Sequence, residues 1–173
     1  MFVVPLPHAD AVHSRLASVA TPATFAAWRW LTIRAGVPVV TAATQDAFVA
    51  QAANWDLLGG IDFRKGCYTG QEIIARTHYL GRLKERTLAF HADAPEAAPG
   101  DRIYSQAFED QPCGTVVNAA PAPGGGCDLL AVLQLAAAER GDARLASVDG
   151  PSLVPLPLPY VIPAAKAPRE REA

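Results

Sequence analysis

The segment 65–72 places more reactive groups close together than any other part of this sequence. It reads Lys-Gly-Cys-Tyr-Thr-Gly-Gln-Glu, and a helical pattern follows it directly. A thiol just before a helix lies where unpaired N–H groups and the positive end of the helix dipole favour an anion. Together with the charge of Lys65, this position is expected to lower the pKa of the Cys67 thiol and to raise its thiolate fraction. The pattern therefore predicts a reactive thiol, although a free cysteine is more often a small buried apolar residue.

Several chemical roles are open to such a thiol. Cys67 could act as a nucleophile, as a redox thiol or as a ligand to a soft metal centre. The nearest candidate base along the chain is His78. On one continuous helix it would lie roughly 16 Å from Cys67 along the axis, at a rise of ~1.5 Å per residue. Because that distance excludes a direct hydrogen bond, a Cys–His dyad is disfavoured.

The other residues of the segment each have a functional and a structural interpretation. Gly66 and Gly70 permit unusual dihedrals and the close approach of a ligand, and they are equally common in ordinary turns. Lys65 could bind an anion or be solvated. Glu72 could accept hydrogen bonds from a heterocycle, or it could complete a Thr-x-x-Glu capping box with Thr69.

Two tryptophans lie in a predicted helix that begins at the N-cap Thr24 and ends at Gly36. Trp28 and Trp30 are two positions apart and must therefore face different sides of that helix. Packing in the core is the default for either indole. An indole that is not buried could instead offer a stacking surface to a flat ligand.

Composition limits the classes of partner. Half of the 173 residues are apolar and 18% are charged, and the formal net charge is −2. A nucleic-acid-binding domain usually has a strong basic excess, so we expect no direct nucleic-acid partner. A local basic patch is still compatible with the sequence, at Arg76, Arg82, Lys84 and Arg86.

Cysteine usage and the first residues indicate a cytoplasmic setting. The three cysteines, Cys67, Cys113 and Cys127, are widely spaced and form no CxxC pair. This argues against a disulfide framework or a self-contained zinc site, so no metal ligands are assigned. The first residues lack the features of a signal peptide, and no apolar run approaches membrane-spanning length, so no membrane association is expected.

The distribution of patterns predicts an α+β fold in two parts and a tail. Residues 1–80 are rich in helical patterns, and short strands follow at intervals of roughly 10–15 residues, which is typical of a small antiparallel barrel. We predict a barrel over 81–160 and a flexible tail over 161–173. The strands are predicted at 87–90, 100–105, 114–118, 129–135 and 144–148.

Segment 65–72 resembles the signature of the YgfZ family, which are folate-binding proteins related to the T-protein of the glycine cleavage system. The segments 28–38, 58–63 and 155–157 and the pair Ala75-Arg76 also resemble that family. Family members are roughly twice as long, so the resemblance concerns their C-terminal part. The chain is accordingly expected to begin inside the middle domain of such a protein.

The resemblance implies a partial GcvT-like folate-binding domain followed by a small C-terminal antiparallel β-barrel. It implies tetrahydrofolate as cofactor and a role in iron–sulfur cluster assembly or repair, which would indirectly support tRNA-modifying radical enzymes. Iron–sulfur proteins or their assembly factors would be the partners, and the oligomeric state stays open. The family pattern places the functional thiol and cation at Cys67 and Lys65, and folate contacts at Trp28, Gly66, Tyr68, Gly70 and Glu72.

Two other functions remain open at this point. One is an enzyme that transfers an aminomethyl one-carbon unit to tetrahydrofolate, as the T-protein does. The other is a protein-binding module without a ligand. The signature favours the cluster-maintenance branch of the family, so a non-enzymatic factor is the preferred interpretation.

Overall fold

In the computed structural model, which describes residues 3–79, 81, 83–109 and 111–163, three helices precede an antiparallel sheet. The helices are α1 (Ala9–Ala17), α2 (Phe25–Arg34) and α3 (Gln71–Tyr79). A fourth, α4 (Leu135–Arg140), lies between two strands of the sheet. The mixture of helix and antiparallel sheet that the sequence predicts is thus confirmed. None of the helices in the described ranges is long and apolar enough to cross a membrane.

Helix α2 begins and ends as its local sequence predicts. The hydroxyl of Thr24 accepts a hydrogen bond from the backbone N–H of Ala27 at 3.2 Å, which satisfies one of the free donors of the first turn. The chain leaves the helix through Gly36, whose φ of 67° is readily available to glycine. Helix α1 differs from α2 in its packing, because none of the residues of α1 is buried, whereas Ile33 of α2 is.

The sheet has six strands in the spatial order β5-β2-β3-β4-β1-β6, and every neighbouring pair is antiparallel. Arg144 of the outer strand β5 also forms a bridge with Ser152, the residue before β6, so the sheet curls towards a closed barrel. The strands are β1 (Glu85–Ala92), β2 (Arg102–Tyr104), β3 (Gly114–Pro121), β4 (Cys127–Gln134), β5 (Arg144–Leu145) and β6 (Leu153–Leu156).

All five strands predicted for the barrel region, 81–160, are present, and the structure adds a sixth. Strand β6 lies in the proline-rich segment and pairs with β1, with Pro155 opposite Phe90. Proline is tolerated there because β6 is the last strand in the hydrogen-bonded order, where one side of the strand needs no donor. The predicted tail, 161–173, lies mostly outside the described residues.

Apolar residues pack on both faces of this sheet. One cluster fills the concave side and includes Phe90, Ile103 and Leu129. A second cluster joins Leu130 and Val132 of the opposite face to Ile33 of α2. Strand β4 is therefore buried on both sides, which explains the continuous apolar run at its residues 129–133.

A bulge in β3 positions the segment that leads away from α2. The register between β3 and β4 shifts between Val116 and Asn118, so Val117 is the additional residue. The side chain of Asn118 then pairs with the backbone of Val39. Its oxygen accepts from the Val39 N–H at 2.7 Å, and its amide nitrogen donates to the Val39 carbonyl at 2.8 Å. This pair of hydrogen bonds ties the segment after α2 to the sheet.

Candidate functional site

The exposed face of α2 lines the most apolar of the described pockets. The pocket has a volume of about 480 Å³, within the range of small-molecule sites. The indole of Trp28 lies at it and is 67% exposed. The apolar lining residues are Phe25, Trp28, Ile33, Val39, Pro99 and Ala119, and the polar ones are Arg29, Thr32, Thr41 and Asn118.

The polar groups of this Trp28 pocket are mostly committed to the fold. Both amide atoms of Asn118 bond to Val39, and the hydroxyl of Thr32 donates to the Trp28 carbonyl at 2.9 Å. Arg29 donates from Nη2 to the Ala119 carbonyl at 2.7 Å, which occupies one of the five N–H donors of a guanidinium. The pocket therefore offers an aromatic platform, apolar walls and one cation.

Segment 65–72 follows a phenylalanine that is held against the end of α3 by aromatic contacts. Phe63, two residues before Lys65, stacks on His78 with ring centroids 4.0 Å apart and planes at 30°. The ring of Tyr79 lies edge-on to His78 at 4.8 Å and 6.2 Å from Phe63. These contacts fold the loop back along the helix, so the segment has a defined place despite its exposure.

Within the segment, Lys65 contacts Tyr68 rather than a carboxylate. The Lys65 ammonium lies 4.6 Å from the centroid of the Tyr68 ring, which is a cation–π distance. Cys67 lies between them in sequence and is exposed. Gly70 has a φ of 86°, so the turn before α3 requires glycine there, whereas Gly66 has open space around it.

The start of α3 corrects two details of the sequence interpretation. The helix begins at Gln71, so Cys67 precedes its first residue by four positions. It lies outside the first turn, where the helix dipole acts most strongly. Glu72 is the second helical residue, one position short of the third that a capping box requires. The predicted Thr69–Glu72 capping box is therefore out of register.

The structure does not bring all predicted site residues into one place. Trp28 lines its pocket on α2, while none of the residues of segment 65–72 lines that pocket. Segment 65–72 lies instead beside Phe63 and the end of α3. Sequence reasoning missed Arg29 and Asn118 as pocket residues. The sequence could have indicated Asn118, because this polar residue interrupts the apolar run of β3. No sequence pattern distinguishes Arg29.

A buried ion pair removes Arg86 from the predicted basic patch. The Arg86 guanidinium pairs with both oxygens of Asp56, at 2.6 and 3.0 Å, and also donates to the Gln51 carbonyl at 2.7 Å. Both side chains are nearly buried, with exposed fractions of 8% and 11%. Arg86 is therefore a structural residue. Arg82, another member of that patch, lies outside the described residues.

Tyr160 and Asn54 extend this buried network to α2. The Asn54 amide donates to the Thr87 carbonyl at 2.7 Å and to the Tyr160 hydroxyl at 3.2 Å. That hydroxyl in turn donates to the Gly36 carbonyl at 2.7 Å. Burial raises the pKa of Tyr160 above its ordinary value, so the hydroxyl keeps its donor proton well into alkaline solution.

A second polar cluster fixes α2 to β4. The Asp128 carboxylate accepts from the Trp30 indole N–H at 2.8 Å and is paired with Nδ1 of His91 at 2.8 Å. Arg34 lies 3.9 Å from the same carboxylate. Trp30 is thus the structural member of the two tryptophans, and Trp28 is the member that faces the pocket.

The accessibility of the three thiols predicts a large difference in their alkylation by iodoacetamide. Burial raises the pKa of the Cys113 and Cys127 thiols, which further lowers their thiolate fraction. Cys67 is exposed. At pH 7.5 in the folded chain we expect Cys67 to react at least about a hundredfold faster, because an opening that costs ~3 kcal/mol exposes a buried thiol roughly 1% of the time. Peptide mass spectrometry of the modified sites measures the three rates.

The same experiment in urea separates an accessible thiol from an activated one. If Lys65 and the fold raise its thiolate fraction, Cys67 reacts faster in the folded chain than in the unfolded one, and Lys65→Gln lowers the folded rate. Equal rates in the two states would mean that Cys67 is merely accessible. Reaction of Cys113 or Cys127 at the Cys67 rate would contradict their burial.

The chain is similar in sequence to several curated proteins that share one name. No protein-family model matches this chain. It is 37% identical over 137 residues to the tRNA-modifying protein YgfZ of Sodalis glossinidius, a match that covers 78% of this chain and 42% of that protein. The proteins of the same name from Pectobacterium atrosepticum and Pectobacterium carotovorum are 37% and 36% identical over 138 residues, covering 78% of this chain and 41% of each.

The chain thus spans about two fifths of the length of the curated relatives it matches. At these identities the similarity reflects common descent, and it covers most of this chain. The resemblance to the YgfZ family is confirmed: the chain is homologous to YgfZ proteins over about two fifths of their length.

Proposed function

We propose that this chain acts in tRNA modification, as the counterpart of part of a YgfZ protein, by binding tetrahydrofolate and supporting iron–sulfur cluster assembly or repair. The relatives named tRNA-modifying protein YgfZ support the general role. The observation that carries the ligand is the pocket on α2, where the exposed Trp28 indole lies over apolar walls.

The chemistry of the pocket fits the flat rings and the anionic tail of tetrahydrofolate. The Trp28 indole provides a stacking face, and the volume of about 480 Å³ suits a ligand of this size. Arg29 is the cation at the pocket and can pair with a carboxylate of the glutamate tail. Among the lining residues described, none is acidic, so the amino edge of the pterin finds no carboxylate there. We therefore expect saturable but weak binding.

Bound tetrahydrofolate would supply a carrier for one-carbon units. The chain's own contribution is to stack the rings, to hold the anionic tail and to keep water from the apolar wall formed by Ile33 and Ala119. Cys67 would act separately, because segment 65–72 does not line this pocket. One thiol cannot hold a cluster that normally needs four ligands, so Cys67 would contact the cluster transiently, together with thiols of a partner protein.

Tetrahydrofolate binding is tested by calorimetric titration of the whole chain under anaerobic conditions. We expect Trp28→Ala to raise the Kd about tenfold or more, because loss of a stacked aromatic face costs ~1.5 kcal/mol, a factor of about ten. Trp55→Ala is the matched control, since Trp55 is also partly exposed but does not line the pocket. Absence of saturable heat from the unsubstituted chain would refute folate binding and leave a protein-binding module.

A tail-less ligand tests the role assigned to Arg29. Arg29→Gln should weaken tetrahydrofolate but leave the binding of a tetrahydropterin, which lacks the glutamate tail, unchanged. Equal weakening of both ligands would mean that Arg29 maintains the shape of the pocket through its hydrogen bond to Ala119.

A Cys67→Ser substitution in the gene tests the role in cluster assembly or repair. The level of thiolated nucleosides in bulk tRNA should fall, and an unchanged level would exclude Cys67 from that role.

A further inference from the structure

The loop before α3 and the end of that helix form a surface that the proposed folate site does not use. We propose that this surface binds an unpaired stretch of nucleic acid, with bases stacked on its rings and phosphates held by its cations. It is defined by Phe63, Arg64, Lys65, Arg76, Tyr79 and Lys84, and we call it the α3 surface.

Charge is the first observation that supports the proposal. Residues 62–85 contain five Lys or Arg residues and three acidic residues, Asp62, Glu72 and Glu85, in a chain whose net charge is −2. Arg64, Lys65, Arg76 and Lys84 are all exposed, and none of them forms a salt bridge with a residue in the described ranges. The basic excess that the whole chain lacks is therefore concentrated here, where it can attract phosphates.

The rings are the second observation, and they specify which polyanion fits. Phe63, His78 and Tyr79 are in mutual contact, and Tyr79 is 62% exposed. A cluster of rings that reaches solvent beside cations is the arrangement on which unstacked bases are held. A base-paired duplex would present mainly its backbone to such rings. The acidic side chains of a peptide could pair with the cations, but they could not stack on the rings.

The geometry brings the cations to the rings. The Phe63–His78 stack places Arg64 and Lys65, its neighbours in sequence, beside the last turn of α3. Arg76 precedes Tyr79 by three positions on that helix, so the two side chains share a face. Arg86 does not contribute, because Asp56 neutralises it in a buried pair. The α3 surface thus keeps Arg76 and Lys84 of the patch expected from the sequence, and it adds Arg64 and Lys65 beside the aromatic rings.

Fluorescence anisotropy with the whole chain and a labelled single-stranded RNA of about 12 nucleotides tests the proposal. We expect saturable binding that weakens steeply between 50 and 200 mM salt, with a log–log slope of about −0.7 for each phosphate neutralised. Tyr79→Ala should weaken binding at least about fivefold, because stacking contributes ~1–3 kcal/mol per base. Arg76→Gln with Lys84→Gln should weaken binding and reduce the salt slope by about 1.4.

Controls separate this surface from general attraction of anions. Arg15→Gln removes an exposed charge from α1, far along the chain from the α3 surface, and should leave RNA binding unchanged. A DNA strand of the same sequence shows whether the ribose hydroxyls contribute, and binding of either strand supports the proposal. It is overturned by absence of saturable binding at 50 mM salt, by a Tyr79→Ala variant that binds as well, or by tighter binding of anionic vesicles or poly-glutamate. None of these results bears on the folate site, because no residue of the α3 surface lines the Trp28 pocket.

Discussion

Replacing Arg86 by Met is expected to lower the free energy of unfolding by about 3–5 kcal/mol, because it breaks a buried ion pair and leaves one charge behind. The change leaves the Asp56 carboxylate, whose side chain is 11% exposed, without its bidentate partner. It also removes the hydrogen bond to the Gln51 carbonyl, which lies in a buried residue. Because domains of this size are stable by only ~5–15 kcal/mol, urea denaturation should show a clearly lower midpoint.

Two companion variants test the reason for this loss. Replacing the pair together, with Arg86→Met and Asp56→Leu, should recover a large part of the stability, because the unpaired buried charge is then absent. Arg140→Met breaks the solvent-exposed pair with Asp142 and should cost far less stability, because surface ion pairs contribute little. If Arg86→Met lowered the free energy of unfolding by no more than Arg140→Met does, the conclusion that the Arg86–Asp56 pair is buried would be contradicted.

Leu130→Ala is expected to cost about 2–5 kcal/mol, through lost apolar burial and the cavity that remains. Leu130 is fully buried in β4, between β1 and β3, and it packs in the same cluster as Ile33 of α2. The substitution therefore weakens the attachment of the helix that carries the Trp28 pocket. Urea denaturation followed by far-ultraviolet circular dichroism measures the change.

The control for Leu130 uses the same chemical change on an unburied helix. Leu16 lies on α1, is 40% exposed and is in neither apolar cluster of the described residues, so Leu16→Ala should cost less than about 0.5 kcal/mol. A Leu130→Ala variant as stable as Leu16→Ala would mean that α2 does not pack on the sheet. If the m-value changed instead of the midpoint, the substitution would have altered the compactness of the folded or the unfolded state. The midpoint would then not measure the loss of packing at Leu130.

Local features of the fold could be predicted because their causes lie within a few residues. Thr24 and Gly36 delimit α2 through the dihedrals and hydrogen bonds of single turns. The five strands of the predicted barrel were recognisable as short extended patterns between turn residues. Strand β6 was not recognisable, because the prolines in and around it resemble a linker unless the partner strand β1 is known.

The contacts that build the site could not be predicted, because they join distant parts of the chain. Arg86 and Asp56 are 30 residues apart, and Asn118 and Val39 are 79 residues apart. The periodicity of apolar residues does not show which distant residues are in contact. Arg86 was therefore assigned to a basic patch on the basis of its neighbours in sequence. The separation of Trp28 from segment 65–72 was likewise invisible in the sequence, which contains residue types but no distances between them.

The hydrogen bond from Tyr160 to the Gly36 carbonyl has a consequence for folding during synthesis. It joins the end of α2 to a residue that is synthesised 124 positions later. The sheet beneath α2 is completed by β6, which is also late. Contacts of such high sequence separation make folding slow, and until they form, the apolar side of α2 stays exposed to aggregation. The pocket on α2 is therefore completed only after the chain has been made as far as Tyr160.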